Sequence, residues 1–340
     1  MYAGPERVEV RNVPDPRIEA PEDALVRVTL SAICGTDLHA WHGLDGVPPG
    51  TQLGHEFVGE VVAVGPAVRH LAPGDRVVAS DFTACGHCWW CRAGDHWECP
   101  HRAMFGMGSV FGPPLAGAQA ELVRVPFAQT TLQRLPAECP ADAAIFAGDT
   151  LASGVAAAER GGVRPGDVVA VIGGGAVGQM ASLAAQSFGA AAVVVTDLIP
   201  ARLELIGRLG GVPAAPAAAR SVIDELTDGR GADVVIEAVG GSGPLETAFS
   251  LVRRRGSIVS VGAHFAEQWP MPVARAFADE LCVCFAIGDG IRLSPRILPL
   301  LTAGTIDPTG VVSERVPLEG VPDAYRRLAD HTSVKILIDP

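Results

Sequence analysis

Four cysteines crowd into the stretch ACGHCWWCRAGDHWEC: Cys85, Cys88, Cys91 and Cys99. Three thiols at every third residue, with a fourth a short loop further on, can close around one tetrahedral Zn²⁺. His87 and His96 lie in the same stretch as substitute ligands, but the thiolates alone already complete the set. Other metal-binding residue types are dispersed. Cys34 opens CGTDLH, His55 lies in GHEFVGE and Asp149 in AGDTLASG. Taken singly, each has an ordinary reading: a buried thiol, a hydrogen-bonded core imidazole and a helix cap.

A second kind of chemistry is written at Gly173-Gly174-Gly175-Ala176-Val177-Gly178, which satisfies G-x-G-x-x-G. The motif leaves the strand-like run VVAVIG and enters a helix-like run, and Asp197 stands at the end of the next strand-like run. Together these make a dinucleotide fingerprint. Gly173, Gly175 and Gly178 let backbone approach a pyrophosphate, whose charge the N-terminus of the helix opened by Ala176 and Val177 favours. Asp197 would accept hydrogen bonds from the adenosine ribose. A carboxylate there repels a 2′-phosphate, so the sequence predicts NAD rather than NADP. Arg202 is the counterargument, and it is expected to face solvent or stack near the adenine.

The elements that position these groups follow from patterning. At 340 residues the chain exceeds one ordinary core, which predicts two domains. Residues 1–147 hold short alternating runs such as ALVRVTL and EFVGEVVAVG, broken by glycine and proline, as an antiparallel barrel requires. From 148 to 288, strand-like runs (VVAVIG, AAVVVTD, ADVVIEAVG, GSIVSVG, CVCFAIG) alternate with helical ones (QMASLAAQSFG, RLELIGRLG, GPLETAFSLVRR), the pattern of a doubly wound parallel sheet. Residues 289–340 end in the strand KILID and are expected to return to the first domain.

Composition excludes several functions. With 48% hydrophobic residues and 19% charged, the chain is a well-buried globular protein. A net charge of −12 with scattered basic residues disfavours nucleic acid. Residues 168–196 carry no charge until Asp197, but they read as strand, turn, helix and strand rather than as a membrane span. MYAGPERVEV has no secretion signal, and eight cysteines without one point to metal ligands or buried thiols in a cytoplasmic setting. Cys139, Cys282 and Cys284 are expected in the core.

CGTDLH, GHEFVGE, LAPGDRVV, the cysteine cluster, and GGGAVG followed by Asp197 occur in an order that resembles the zinc-dependent medium-chain alcohol dehydrogenases. The runs GAQAELVRVPFAQT and AGDTLASG are most similar to the glutathione-independent formaldehyde dehydrogenase branch. The resemblance implies an α/β protein, with a GroES-like antiparallel barrel as catalytic domain (1–147 and 289–340) and a Rossmann domain (148–288). It implies two Zn²⁺ per chain. One is catalytic, on Cys34, His55 and Asp149, with Glu56 nearby as an outer or exchangeable ligand. The other is structural, in a lobe at about 84–100.

By the same resemblance Thr36 and His39 relay a proton, and Val239, Val261, Gly262 and Ile287 touch the nicotinamide. Asp37 is expected to bond the far nitrogen of His55 and fix its tautomer. The implied activity is NAD-linked oxidation of an alcohol to an aldehyde or ketone, in a homo-oligomer of two or four chains. Asp81 falls where family members often place an apolar pocket residue, which points to a polar alcohol or polyol. The competing expectations are a zinc-free quinone or enoyl reductase on the same fold and a non-enzymatic zinc-binding interaction protein.

Overall fold

Alternation along ALVRVTL produces the central strand of the first sheet, Ala24–Ile33, with Val26, Val28 and Leu30 turned inward. The computed structural model, which describes residues 1–265 and 268–340, places this strand in a compact unit formed by Met1–Ala152 and Asp289–Pro340. Phe57–Val64 pairs antiparallel with it, then Arg76–Ala79 and Leu132–Arg134 continue the sheet, and Leu122–Val125 pairs on the other part of the central strand. On the far side the final strand, Lys335–Asp339, lies antiparallel to Ala24–Ile33, with Ile336 opposite Ile33. Val312–Pro317 runs parallel to that final strand and closes the sheet's order. The C-terminal segment thus returns to the sheet that carries the first half of the chain.

The second unit, Ser153–Gly288, is built on six parallel strands. Their order is Val212–Ala214, Ala192–Thr196, Val168–Ile172, Ala232–Glu237, Val252–Ser260 and Cys282–Phe285. The uncharged run divides into the wholly buried strand Val168–Ile172, helix Ala176–Ser187 and strand Ala192–Thr196. No helix among the described residues is long and apolar enough to cross a membrane.

Two details differ from the sequence reading. The helix expected over GPLETAFSLVRR stops at Leu251, and Val252 already belongs to the next strand. Cys139 is buried, but Cys282 is exposed and Cys284 only half-buried, because their strand is the edge of its sheet and has a neighbour on one side only.

Candidate functional site

The helix Gly35–Trp41 begins at Cys34, whose backbone N–H donates to Asp37 Oδ2 at 2.9 Å. That bond is one half of a capping box and fixes both residues. His55 and Glu56 immediately precede the strand Phe57–Val64, and Asp149 immediately precedes the helix Thr150–Gly161. These elements bring one donor atom each from Cys34, His55, Glu56 and Asp149 within 4.8 Å of one another. His55 Nε2 lies 3.4 Å, and Cys34 Sγ 3.5 Å, from Asp149 Oδ2. Ligands roughly 2.0–2.3 Å from a tetrahedral zinc stand about 3.3–3.8 Å apart, so both separations have the length of a coordination edge.

The electrostatics fit a cation. Neither nitrogen of the sealed His55 ring makes a hydrogen bond with the described residues, a costly state for an imidazole unless a metal takes one of them. Its Nδ1 is 3.2 Å from Asp37 Oδ1, in a geometry too bent for a bond. Asp37, Glu56, Asp81 and Asp149 all gather here, against Lys335, the single buried lysine or arginine among the described residues. Burial, then the charges of Asp149 and Glu56, push the Cys34 thiol up. Burial resists a charged His55, but Asp37 and Asp149 outweigh it and raise the ring well above its ordinary range. A divalent ion relieves both, because it takes the thiolate and the neutral imidazole. The S, N and O donors are those zinc accepts, and three of them leave a position open.

Glu56 is held away from solvent by partners of its own. Lys335 Nζ donates to Oε2 and Thr150 to Oε1, and Lys335 also reaches Thr150 Oγ1 at 3.3 Å. Thr36 and His39 sit one turn apart on the helix that starts at Cys34, and both are half-buried. Burial, with His42 adding to it, lowers the pKa of His39 from its ordinary 6.5. Asp81 is buried, and Ser80 Oγ donates to its Oδ1 at 3.2 Å. Burial first, and Asp149 second, push its carboxyl well above the carboxylate range.

Cys85, Cys88, Cys91 and Cys99 converge within 4.8 Å, with Cys88 and Cys91 sulfurs 3.4 Å apart and those of Cys85 and Cys91 3.9 Å. Cys88 caps the short helix Trp89–Ala93, and the N–H of Cys91 brings its thiol down to about 7. Backbone N–H groups of Cys85 and His101 both point at Cys99 Sγ. Those N–H groups favour the Cys99 thiolate, but burial outweighs them and raises its pKa, as burial also raises that of Cys91, a cost that a bound cation would offset. His87 and His96 bond elsewhere, to the Cys85 carbonyl and to Asp289.

In the second unit the Gly-rich turn links the strand Val168–Ile172 to the helix Ala176–Ser187, whose N-cap is Gly175. A Cβ on Gly178 would fall 1.8 Å from the Gly173 carbonyl oxygen, so the helix packs this closely only with glycine. Asp197 Oδ2 accepts the Gly174 N–H at 2.7 Å and Oδ1 that of Ile199 at 2.8 Å. Arg202 does not face solvent: Nη1 lies 3.4 Å from Asp197 Oδ2, because one helical turn after Ile199 returns it to the carboxylate. Val239, Val261, Gly262 and Ile287 follow the carboxyl ends of their strands, the edge where such sheets bind ligands. Between them, Glu237 Oε1 accepts the N–H groups of Val239 and Gly240, and Oε2 accepts from Ser260, whose Oγ is 2.7 Å from His264 Nε2. Lys335, Thr150 and this Glu237 network were not legible in the sequence; the one available signal was that Lys335 is the only lysine.

Residues 20–137 match the alcohol dehydrogenase GroES-like domain family, and residues 176–301 the zinc-binding dehydrogenase family. The solved alcohol dehydrogenase TADH from Thermus sp. ATN1 is 40% identical with a TM-score of 0.95, covering 99% of this chain and 98% of that one. A Mycobacterium tuberculosis protein named "Probable zinc-binding alcohol dehydrogenase" is 36% identical over 319 residues, 94% of this chain and 82% of the relative. Sorbitol dehydrogenase of Bacillus subtilis is 30% identical over 342 residues, 98% of this chain and 94% of the relative. The chain belongs to the zinc-dependent medium-chain alcohol dehydrogenase family and is an oxidoreductase.

Proposed function

We propose that this enzyme transfers hydride between a polar alcohol or polyol and NAD, giving the aldehyde or ketone, and that each chain carries two zinc ions. The observation that carries the reading is the edge-length spacing of Cys34, His55 and Asp149 around an otherwise unbonded imidazole. When bound, zinc supplies Lewis acidity that lowers the pKa of an alcohol hydroxyl, and the nicotinamide supplies the hydride acceptor.

The chain's own residues do the rest. Cys34, His55 and Asp149 hold the catalytic ion, while Lys335 and Thr150 engage Glu56 and keep it as an outer group. Thr36 and His39, on one helix face, take the hydroxyl proton outward, and the lowered pKa of His39 keeps it neutral and able to accept. Cys85, Cys88, Cys91 and Cys99 hold the second ion. Asp197 accepts the adenosine ribose hydroxyls with Arg202 at its side, and Val239, Val261, Gly262 and Ile287 bear on the nicotinamide. Asp81, a buried carboxyl where a plain alcohol needs none, supports a substrate with a further hydroxyl or amino group, as does the similarity to a sorbitol dehydrogenase.

The edge strand Cys282–Phe285, with Phe285 exposed, supports assembly into a dimer or tetramer, which sedimentation checks. The test of the whole reading is metal content together with NADH formation. Two zinc ions per chain and NAD-linked turnover of polyols are expected; one zinc, with reduction of activated double bonds, would put the zinc-free reductase in its place.

A further inference from the structure

Gln119 joins two parts of the first unit that the sequence keeps far apart. Its Nε2 donates to the Ala32 carbonyl at 3.2 Å and to Asp37 Oδ2 at 3.4 Å, and its Oε1 accepts from the Tyr325 hydroxyl at 3.0 Å. A carbonyl and a carboxylate can only accept, so they fix the amide's orientation, and Tyr325 must then be the donor. Burial, followed by the Asp37 charge, pushes the phenol well above its ordinary range, which keeps that proton in place. The side chains of Tyr325 and Asp37 are sealed from solvent.

The stem of Gln119 is equally constrained. Gly54, which precedes His55, has φ +97°, and a Cβ there would fall 2.5 Å from Gln119 Cγ and 2.8 Å from its backbone nitrogen. Gln119 therefore lies flat against the backbone that presents His55. Its N–H donates to the Leu53 carbonyl at 3.0 Å, which ties the two segments together.

We propose that Gln119 and Tyr325 are positioning residues for the metal ligand His55, acting through Asp37; this rests on the reading of Cys34, His55 and Asp149 as a zinc site. Asp37 Oδ2 is claimed by two N–H donors, from Cys34 and Gln119, which leaves Oδ1 turned to His55 Nδ1 at 3.2 Å. Without Gln119 the carboxylate keeps a single anchor and is free to rotate about it. The imidazole then loses the carboxylate that faces its Nδ1 at 3.2 Å, whose negative charge favours a proton on that nitrogen and leaves Nε2 for the ion. Loss of such an outer partner weakens metal binding by about 10- to 100-fold, and one bond further out the lower end applies.

The test is zinc affinity by competition with a chromophoric chelator, using the full chain, with Cys34→Ala as the reference that keeps only the cysteine-lobe ion. Gln119→Met is expected to weaken the ion at Cys34, His55 and Asp149 by about tenfold and to broaden the visible bands of the cobalt-substituted protein. Tyr325→Phe, which removes one hydroxyl and keeps the ring, is expected to shift both in the same direction by less. Because Tyr325 acts through Gln119, the double variant should bind no more weakly than Gln119→Met alone. Wild-type affinity and cobalt spectrum in Tyr325→Phe and in a folded Gln119→Met would overturn the inference alone, and additive losses would overturn the chain of action. A wild-type chain holding only the cysteine-lobe ion would overturn the zinc reading, and the inference with it.

Discussion

Lys335 Nζ, on the final strand, is bonded to Glu56 Oε2 on the segment that carries His55, and both side chains are sealed from solvent. Burial alone would strip the lysine of its proton, but Glu56, Cys34 and Asp149 outweigh it and raise its pKa above 10.5. A raised folded-state pKa contributes stability that is complete below 10.5 and is lost only as pH rises through the higher folded value. The pair is therefore intact across the working range. Lys335→Met leaves a buried carboxylate without its cation and should cost about 3–5 kcal/mol in urea unfolding, while Lys335→Met with Glu56→Gln should recover most of that. An amine-reactive reagent should label Lys335 only in denaturant; labelling of the folded chain would contradict the burial.

Cys34→Ala and Asp149→Asn should each remove one zinc ion per chain and abolish alcohol oxidation, with the fold retained. Cys88→Ser should lose the other ion and lower the melting temperature, because a closed thiolate site contributes folding energy. Elemental analysis of the three variants separates the two sites. Loss of both ions in Cys34→Ala would show that the sites are not independent.

The pH profile should report His39. Its lowered pKa places the acid limb of alcohol oxidation below 6.5, and His39→Asn should flatten that limb and slow turnover by about 10²-fold. The sign for stability follows from the same shift. A histidine harder to protonate when folded loses stability as pH falls from 6.5 toward its lower folded value, so His39→Asn should be relatively more stable at pH 5 than at pH 8.

Asp197→Ala should weaken NAD by about 10- to 100-fold, the worth of charge-assisted bonds to two hydroxyls. It also frees Arg202 from a carboxylate 3.4 Å away, so NADP should gain as NAD loses. Initial rates with both cofactors measure the ratio; an unchanged preference would remove Asp197 from the ribose site.

Whether a feature could be read from the sequence depended on how local its cause was. The convergence of the cysteine lobe was legible because its four thiols lie within one short loop, so spacing alone constrains the geometry. The alternating runs of the first sheet and the strand-like runs of the second placed their strands for the same reason. Cys34, His55 and Asp149 were legible only through ordered resemblance, since no spacing rule connects residues on three separate elements. Gln119 and Tyr325 left no signal: an amide and a phenol 206 positions apart meet only after the last strand and its preceding helix have docked. Of the two places expected for Arg202, the solvent-facing one is excluded by its position beside Asp197, a direction that depends on where the helix Pro200–Arg208 starts. The exposure of Cys282 depended on strand order, which residue type does not encode.

Asp81 sets the remaining question, which alcohol the enzyme takes. The carboxyl is buried, it has one hydroxyl donor in Ser80, and no cation pairs with it among the described residues. If Asp81 lines the alcohol's pocket, as the proposed reading has it, a buried acid there is unfavourable unless the substrate repays it with a hydroxyl or an ammonium group. Asp81→Phe should therefore lower kcat/KM for polyols and amino alcohols by about tenfold or more relative to simple primary alcohols, because their polar group then faces a ring. Asp81→Asn keeps an acceptor and should retain the preference for polyols while losing that for amino alcohols. The ratio of kcat/KM values across such a panel separates the two classes, and equal ratios in wild type and Asp81→Phe would show that the carboxyl never meets the substrate.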